Sequence, residues 1–250
     1  MVINDRIIVS IIIIIGIVSI IIFYFQKEDT MSNELVFTKI PPIDMVAPEE
    51  TETAAFALGC FWGVEAQFGC HPGVVYTQVG YTGGTTENPS YYNLGDHTET
   101  VKVVYDPSII SYEELLSVFW SNRHAYTRSL TRQYMSAIFC YNDAQKTLAM
   151  ESYHSMSQER KVYVRIMEIE TFYPAEDYHQ KYFLQQKSKL MTEFQVYSNT
   201  QDFVESTAAT RLNGYIGGCG TLVDLQEEID QYGLSEKGKS LLLGIVQKRS

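Results

Sequence analysis

The chain has 250 residues, 45% of them hydrophobic and 13% aromatic, which is enough apolar mass for one large or two small globular domains and too much for a disordered chain. A formal charge of −11 leaves no basic footprint for nucleic acid or for adsorption to an anionic membrane surface, and nucleic acid is not an expected partner. The four cysteines, Cys60, Cys70, Cys140 and Cys219, are too few for a disulfide scaffold of this length and match no zinc-ligand spacing, so they read as individual thiols.

After a short tail, 1–6, the stretch from Ile7 to Phe25 carries no charge and is almost continuously Ile and Val. As a helix rising ~1.5 Å per residue it would span roughly 28 Å, enough to cross a bilayer. Phe23-Tyr24-Phe25-Gln26-Lys27 lacks the small-residue pattern of a signal-peptidase site. The reading is therefore a signal anchor: a single N-terminal transmembrane helix over 7–25, a single-pass membrane localisation, and a membrane as partner through that helix. Arg6 and Lys27 balance too evenly to fix which side holds the rest. Residues 26–53 mix acids, Thr and Pro41-Pro42 and read as a linker.

The globular part begins near Ala54 with a short apolar strand to Leu58, then Gly59-Cys60-Phe61-Trp62-Gly63 and an amphipathic helical segment, Val64 to Phe68. Val74 to Tyr81 reads as a strand, Thr82 to Asn93 as a Gly, Thr, Asn and Pro-rich loop, and Thr98 to Tyr105 as a second strand closed by Asp106-Pro107-Ser108. Ser111 followed by Glu114 is a capping box ahead of Leu115, Leu116, Val118 and Phe119. Gln133 to Tyr141 reads as a strand, Asn142 to Lys161 as a polar helix capped by Asn142, Val162 to Glu170 as a strand and Ala175 to Gln186 as a helix. Leu212 to Gly220, with glycines at 214, 217, 218 and 220, reads as a mobile or tightly turned loop holding Cys219, and 221–250 as a C-terminal helical extension. The alternation of helices and strands points to helices packed on a sheet.

Cys60 is the residue with the clearest chemistry. At a helix N-terminus, unpaired N–H groups and the helix dipole favour thiolate, and such sites draw a cysteine pKa from ~8.5 into a range of roughly 3.5 to 7.5. Phe61 and Trp62 offer an apolar receptacle beside the sulfur, and the flanking glycines allow close approach of a second molecule. Glu99, at the start of an apolar strand, is placed to have its carboxyl desolvated and its pKa raised toward that of a proton donor. Tyr91, Tyr92 and Tyr134 carry phenolic O–H groups able to face a developing oxyanion. His97, His124 and His179 show no local signature for a Cys/His pair, which leaves a cysteine hydrolase as the weakest reading. Cys219, in its glycine-rich surroundings, is free to approach another sulfur after Cys60 is oxidised; Cys70 and Cys140 read as structural and stay open as resolving thiols.

With these residues in view, Ala54 to Gly220 resembles the peptide methionine sulfoxide reductase A family. The motifs run in the family's order: Gly59-Cys60-Phe61-Trp62-Gly63-Val64-Glu65, Val79-Gly80-Tyr81-Thr82-Gly83-Gly84, Asn88-Pro89-Ser90-Tyr91, Gly95-Asp96-His97-Thr98-Glu99, Val104-Tyr105-Asp106-Pro107, Gln133-Tyr134-Met135-Ser136-Ala137-Ile138 and Phe172-Tyr173-Pro174-Ala175-Glu176-Asp177-Tyr178-His179-Gln180. Arg132-Gln133-Tyr134 and Leu212-Asn213-Gly214-Tyr215 are most similar to the animal, insect-type branch.

The resemblance implies an α+β fold, a two-layer sandwich with a ferredoxin-like plait core over 54–220. It implies that Cys60 attacks the sulfoxide sulfur, Glu99 protonates the oxygen, Tyr91 and Tyr134 hydrogen-bond that oxygen, and Phe61 with Trp62 hold the S-methyl group. A sulfenic acid on Cys60 would then condense with Cys219, and thioredoxin or a similar dithiol would reduce the disulfide. The implied substrate is methionine-S-sulfoxide, free or in oxidised proteins, handled by a monomer with no cofactor and no metal.

Two departures stand out. Arg128-Ser129-Leu130-Thr131-Arg132 replaces the family's Asn-Asp-His-Gly-Thr, so Ser129 takes the place of its Asp. Ile216 occupies the usual place of the resolving cysteine, three residues before Cys219. The altered 128–132 segment motivates an alternative, a module that recognises oxidised methionine without turning it over.

Overall fold

A computed structural model describes residues 39–249. Ala54 through Leu58 are all buried, which requires cover on both faces of the strand they form. Six strands make one sheet: β1 (Glu52–Leu58), β2 (Val74–Thr82), β3 (Thr98–Tyr105), β4 (Ser136–Cys140), β5 (Val164–Glu168) and β6 (Tyr173–Pro174), in the order β5-β4-β1-β3-β2-β6. Every neighbouring pair is antiparallel except β4 and β5, which are parallel.

Alternation along the central strands sends side chains to two separate clusters. Ala54, Phe56 and Leu58 of β1 and Ile138 and Cys140 of β4 enter the main core, while Ala55, Ala57, Ala137 and Phe139 join Met135, with Met167 and Ile169 packed on the other face. Helices α1 (Phe61–Gly69), α2 (Tyr112–Ser121) and α3 (Asp143–Glu159) follow β1, β3 and β4 in the chain. The Phe56 ring stacks on Phe68 of α1 at 4.8 Å and meets Phe119 of α2 at 5.5 Å, tying strand to both helices. The capping box that opens α2 is complete: Ser111 accepts from the Glu114 N–H and Glu114 accepts from the Ser111 N–H. Asn142 caps α3 through the Gln145 N–H.

From β6 onward the chain is helical: α4 (Tyr182–Gln185), α5 (Ser188–Met191), α6 (Thr200–Glu205), α7 (Thr207–Gly217), α8 (Leu222–Glu228) and α9 (Glu236–Gln247). These build their own core from Leu184, Leu190, Val204, Leu212, Leu225 and Leu242. Asp44, in the segment before β1, accepts from Ser206 Oγ at 2.7 Å and from the Ala208 N–H at 3.1 Å at the start of α7.

Four expectations are corrected. The two-layer plait gives way to a mixed six-stranded sheet with apolar clusters on both faces, accompanied by helices with a core of their own. Among the described residues no helix is long and apolar enough to cross a membrane; the longest, α3, has 17 residues and buries only Gln145 and Ala149. That finding overturns the transmembrane-helix and membrane-localisation readings, and Ile7 to Phe25, on which they rested, lies outside the described residues.

The helix expected over Ala175 to Gln186 is broken at Lys181, whose φ of 49° is left-handed because its backbone N–H and Nζ both turn to Glu65. The loop expected over Leu212 to Gly220 is helical as far as Gly217. Its glycines serve contact: a Cβ on Gly214 would lie 2.6 Å from the Cys70 backbone nitrogen, and one on Gly69 would lie 2.7 Å from the Thr210 carbonyl oxygen. Helices α1 and α7 therefore touch backbone to backbone.

Candidate active site

The sharp exit from β1 sets the site. Gly59 has φ +83°, and Cys60 follows as the N-cap of α1 in an extended conformation without using its side chain as a cap. The first-turn donors of α1 are thus free for other groups. One of them is taken by Glu99, whose Oε2 accepts from the Phe61 N–H at 3.0 Å, while the N–H groups of Trp62 and Gly63 favour the Cys60 thiolate electrostatically.

Glu99 is 1% exposed on β3, and its other oxygen accepts from Gln133 Nε2 at 2.7 Å. Its own backbone N–H donates to the Gln133 carbonyl at 2.9 Å, which stitches segment 132–134 to the start of β3. Burial raises the carboxyl pKa above 4.5 against the hydrogen bonds from Gln133 Nε2 and the Phe61 N–H. The expectation of an acid able to keep a proton therefore has a visible cause.

Cys60 behaves differently from its sequence reading. The residue is exposed, yet its thiol pKa is raised above 9.0: burial is the largest cause and Glu99's negative charge adds to it, against the N–H groups of Trp62 and Gly63. The helix terminus pulls in the expected direction and is outweighed by desolvation and a neighbouring carboxylate.

Cys60, Tyr134, His124, Ser129, Arg128 and Thr127 line one concavity of about 340 Å3. Tyr134 is 37% exposed there, and burial, Glu99 and the Tyr91 hydroxyl together push its pKa up to about 12, so the phenol stays protonated. Tyr91 is fixed by its backbone N–H, which donates to Glu176 Oε1 at 2.9 Å. Phe61 is buried, at 1% exposure, and packs on Tyr81 and His179; Trp62 is only half-buried. Tyr92 stands 91% exposed, with its ring edge-on to Tyr91 at 5.4 Å. Ser129 donates to the Thr131 carbonyl at 2.9 Å, shaping the turn that stands where the family's Asp would be.

Sequence reasoning missed the residues that hold Trp62. Its indole N–H donates to His179 Nδ1 at 3.1 Å, and its ring stacks flat on Tyr182 at 3.6 Å. His179 is 1% exposed and its pKa is lowered by burial, so it serves as a neutral acceptor and not as a base for Cys60. Glu176 also accepts from the Tyr81 hydroxyl at 2.8 Å, and Gln133 holds Glu99. Position in the run 172–180 and in the Gln133-Tyr134 pair could have flagged His179, Glu176 and Gln133, whereas nothing in the sequence flags Tyr182. His97 is structural: its ring accepts from Gly84 N–H and meets the Thr86 carbonyl at 2.7 Å.

Cys219 is bonded to Cys70, 149 residues away in sequence, with the Cα atoms 5.7 Å apart. Cys70 closes the C-terminal end of α1, so this disulfide and Cys60 sit at opposite ends of one helix, about 14 Å apart at ~1.5 Å per residue. Among the described residues, Cys70, His71 and Cys219 form the one group whose ligand-type atoms converge within 4.8 Å, with both sulfurs committed to the disulfide. Cys140 is free and buried.

The sequence model of the peptide methionine sulfoxide reductase family matches residues 52–212, which include Cys60, Tyr91, Glu99 and Tyr134 and stop short of Cys219. The chain is 39% identical over 211 residues to a peptide methionine sulfoxide reductase of Drosophila melanogaster, covering 82% of this chain and 84% of that protein. It is 44% identical over 200 residues to peptide methionine sulfoxide reductase A5 of Arabidopsis thaliana, covering 74% of each. Its fold is similar to the crystal structure of Mxr1 from Saccharomyces cerevisiae in reduced form, with a TM-score of 0.51 and 28% identity over 57% of this chain and 89% of that one. A thiol and a buried carboxyl meeting at the head of α1, inside a family match that spans most of the chain, lead to one conclusion: the chain belongs to the peptide methionine sulfoxide reductase family and is an oxidoreductase that reduces methionine sulfoxide.

Proposed function

We propose that this reductase takes the S epimer of methionine sulfoxide, free or within oxidised proteins, with Cys60 as nucleophile, Glu99 as proton donor, and a thioredoxin-type dithiol as electron source. The observation that carries the reading is the shared helix terminus, where Cys60 stands at the N-cap of α1 and the next N–H, that of Phe61, holds Glu99 Oε2 at 3.0 Å. Cys60 thiolate attacks the sulfoxide sulfur while Glu99 delivers a proton to the oxygen, and Tyr91 and Tyr134 hydrogen-bond that oxygen as charge develops. Trp62, stacked flat on Tyr182 and held at its indole N–H by His179, bounds the S-methyl group, and the buried Phe61 backs it. Methionine leaves, and the oxygen remains on Cys60 as a sulfenic acid.

Cys219 thiol then condenses with that sulfenic acid, forming a Cys60–Cys219 bond and releasing water. Cys70 attacks the Cys219 sulfur, which frees Cys60 and leaves the Cys70–Cys219 disulfide for a dithiol to reduce. Support for this order comes from the glycines around Cys219, where Gly218 with φ 102° ends α7 and lets the next residues turn. The relay also accounts for a disulfide that leaves the nucleophile free.

The test is turnover of separated S and R sulfoxides by the wild type and by Cys60→Ser. Wild type is expected to consume only the S epimer, and Cys60→Ser to fall to background with dithiothreitol or thioredoxin. Equal consumption of both epimers, or activity surviving the substitution, would remove the proposal.

A further inference from the structure

The far end of α1 holds a group that the cycle above does not use. His71 follows Cys70 directly, and its Nε2 lies 4.0 Å from Cys219 Sγ. His71 and Cys219 line a groove of about 520 Å3 that runs beside α1 and α2, with Gln67, Val118 and Ser121 on its walls. Cys70 is only 6% exposed, whereas Cys219 is half-buried and faces the groove. A reductant entering by the groove therefore meets Cys219 first, and Cys70 is the sulfur that leaves.

Leaving is the difficult part. Cys70 is the C-cap of α1, where the last carbonyl oxygens of the helix disfavour a negative charge. Arg211 of α7 lies close by, but its guanidinium is already engaged by the Gly69 and His71 carbonyls and by Glu228. A proton is needed at Cys70 Sγ as the disulfide opens, and another must be removed from the incoming thiol.

We propose that His71 is a catalytic acid–base residue for opening the Cys70–Cys219 disulfide, moving a proton from the attacking thiol of a dithiol reductant to the departing Cys70 sulfur. The reductant's thiol loses its proton to Nε2 and its sulfur bonds Cys219 Sγ. The Cys70–Cys219 bond breaks, Cys70 takes the electron pair, and the imidazolium returns the proton to it. The second thiol of the reductant then attacks the mixed disulfide, releasing reduced Cys219 and an oxidised reductant. Burial and Arg211 lower the His71 pKa below 6.5, against a hydrogen bond to the Gln67 backbone, so neutral solution holds it in the form that accepts a proton. The groups facing the ring are Arg211 from α7, with Glu228 of α8 behind it, and the two sulfurs.

The inference rests on the proposed relay, and the test separates the two. In a Cys60→Ser background the oxidised protein is mixed with reduced thioredoxin or with dithiothreitol, and loss of the 70–219 bond is followed by rapid alkylation and peptide mapping. His71→Gln is expected to slow this step by ~10²-fold, the lower end of acid–base effects. The parent's rate is expected to fall as pH drops below 6.5 and the imidazole protonates, and the variant to lack that limb. Added imidazole is expected to restore part of the rate to His71→Ala. With Cys60 intact, single-turnover release of methionine by prereduced His71→Gln should match wild type. A parent that forms no 70–219 bond on oxidation defeats the relay and the inference together. A normal bond that His71→Gln opens at the parental rate, or more slowly but with the same pH profile and no imidazole rescue, defeats the role of His71 alone.

Discussion

The two ends of α1 carry the same functional group in opposite electrostatic settings. At the N-terminal end Cys60 is exposed, faces first-turn N–H groups, and sits next to a carboxyl that keeps its proton above the usual range. At the C-terminal end Cys70 is buried at the C-cap and is bonded to Cys219. A sulfur that must ionise is placed where the helix can stabilise an anion, and a sulfur that rests as a neutral disulfide is placed where it cannot. The comparison also shows how weak the dipole is beside its competitors, since burial and Glu99 push the Cys60 thiol up despite the favourable helix end. Thiol and carboxyl titrate as a pair, so ionising one depends on whether the other holds a proton.

Glu99→Gln is the largest break available at the N-terminal end short of removing the nucleophile. A glutamine amide can keep a contact with Phe61 or Gln133 but has no acidic proton to give, so single-turnover methionine release should drop by ~10²–10⁴-fold. The Cys60 pKa should fall at the same time, because a negative neighbour is gone. On the proposed mechanism Glu99 works while protonated. Its raised pKa places the descending limb of the pH–rate profile above 4.5, and the glutamine variant should lose that limb. Rapid-quench assays across pH, with iodoacetamide titration of Cys60, measure both effects. A variant that retains wild-type single-turnover rates would place the proton source elsewhere. The disulfide at the other end should open at an unchanged rate.

The middle of α1 is pinned by Glu65, which is fully buried and pairs with the fully buried Lys181 at 2.9 Å while also accepting from Thr77 and from the Lys181 N–H. Breaking such a pair by neutralising one partner costs ~3–5 kcal/mol, because the other charge is left buried. Glu65→Gln should lower the urea midpoint accordingly. Lys181 already has its pKa lowered below 10.5 by burial, and losing Glu65 removes the group that resists that fall. The unfolded lysine then binds more protons than the folded one, so stability should recover as pH rises toward 10.5 and worsen as it falls. A flat pH dependence would mean that the lysine reaches water in the variant.

What could be read from the sequence and what could not divide by range of interaction. The Ser111–Glu114 cap and the strands of β2 and β3 depend on near neighbours, and their residues announce them. Cys60 at the start of a helix is equally local, but its raised pKa depends on Glu99, which is 39 residues on and was not visible as a neighbour. Cys70 reads as structural because its partner lies 149 residues away, and nothing near position 70 reports it. Lys181 breaks an apparently helical run because Glu65, far off in sequence, takes both its backbone and its side-chain hydrogens. The glycines at 214 and 217 suggest flexibility until the helix they touch is known.

The smallest predicted effects concern those glycines, and they carry opposite signs on the two regions. Gly214→Ala places a Cβ against the Cys70 nitrogen and the Gly69 carbonyl carbon at 2.6 and 2.9 Å, both backbone atoms that cannot rotate away. Helix α7 must retreat from α1, at a cost of ~1–3 kcal/mol, and Cys219, which follows α7, moves with it. Formation of the Cys70–Cys219 bond should slow, while single-turnover reduction at the other end of α1 proceeds unchanged. Gly63, in the first turn of the same helix, has nothing within 4 Å of an added Cβ. There alanine should raise stability by ~0.5–1 kcal/mol through the helix propensity it restores. Urea unfolding of the two variants side by side measures the contrast. If Gly214→Ala were as well tolerated as Gly63→Ala, the backbone contact between α1 and α7 would be loose, and the position of Cys219 beside Cys70 would have to come from the disulfide itself.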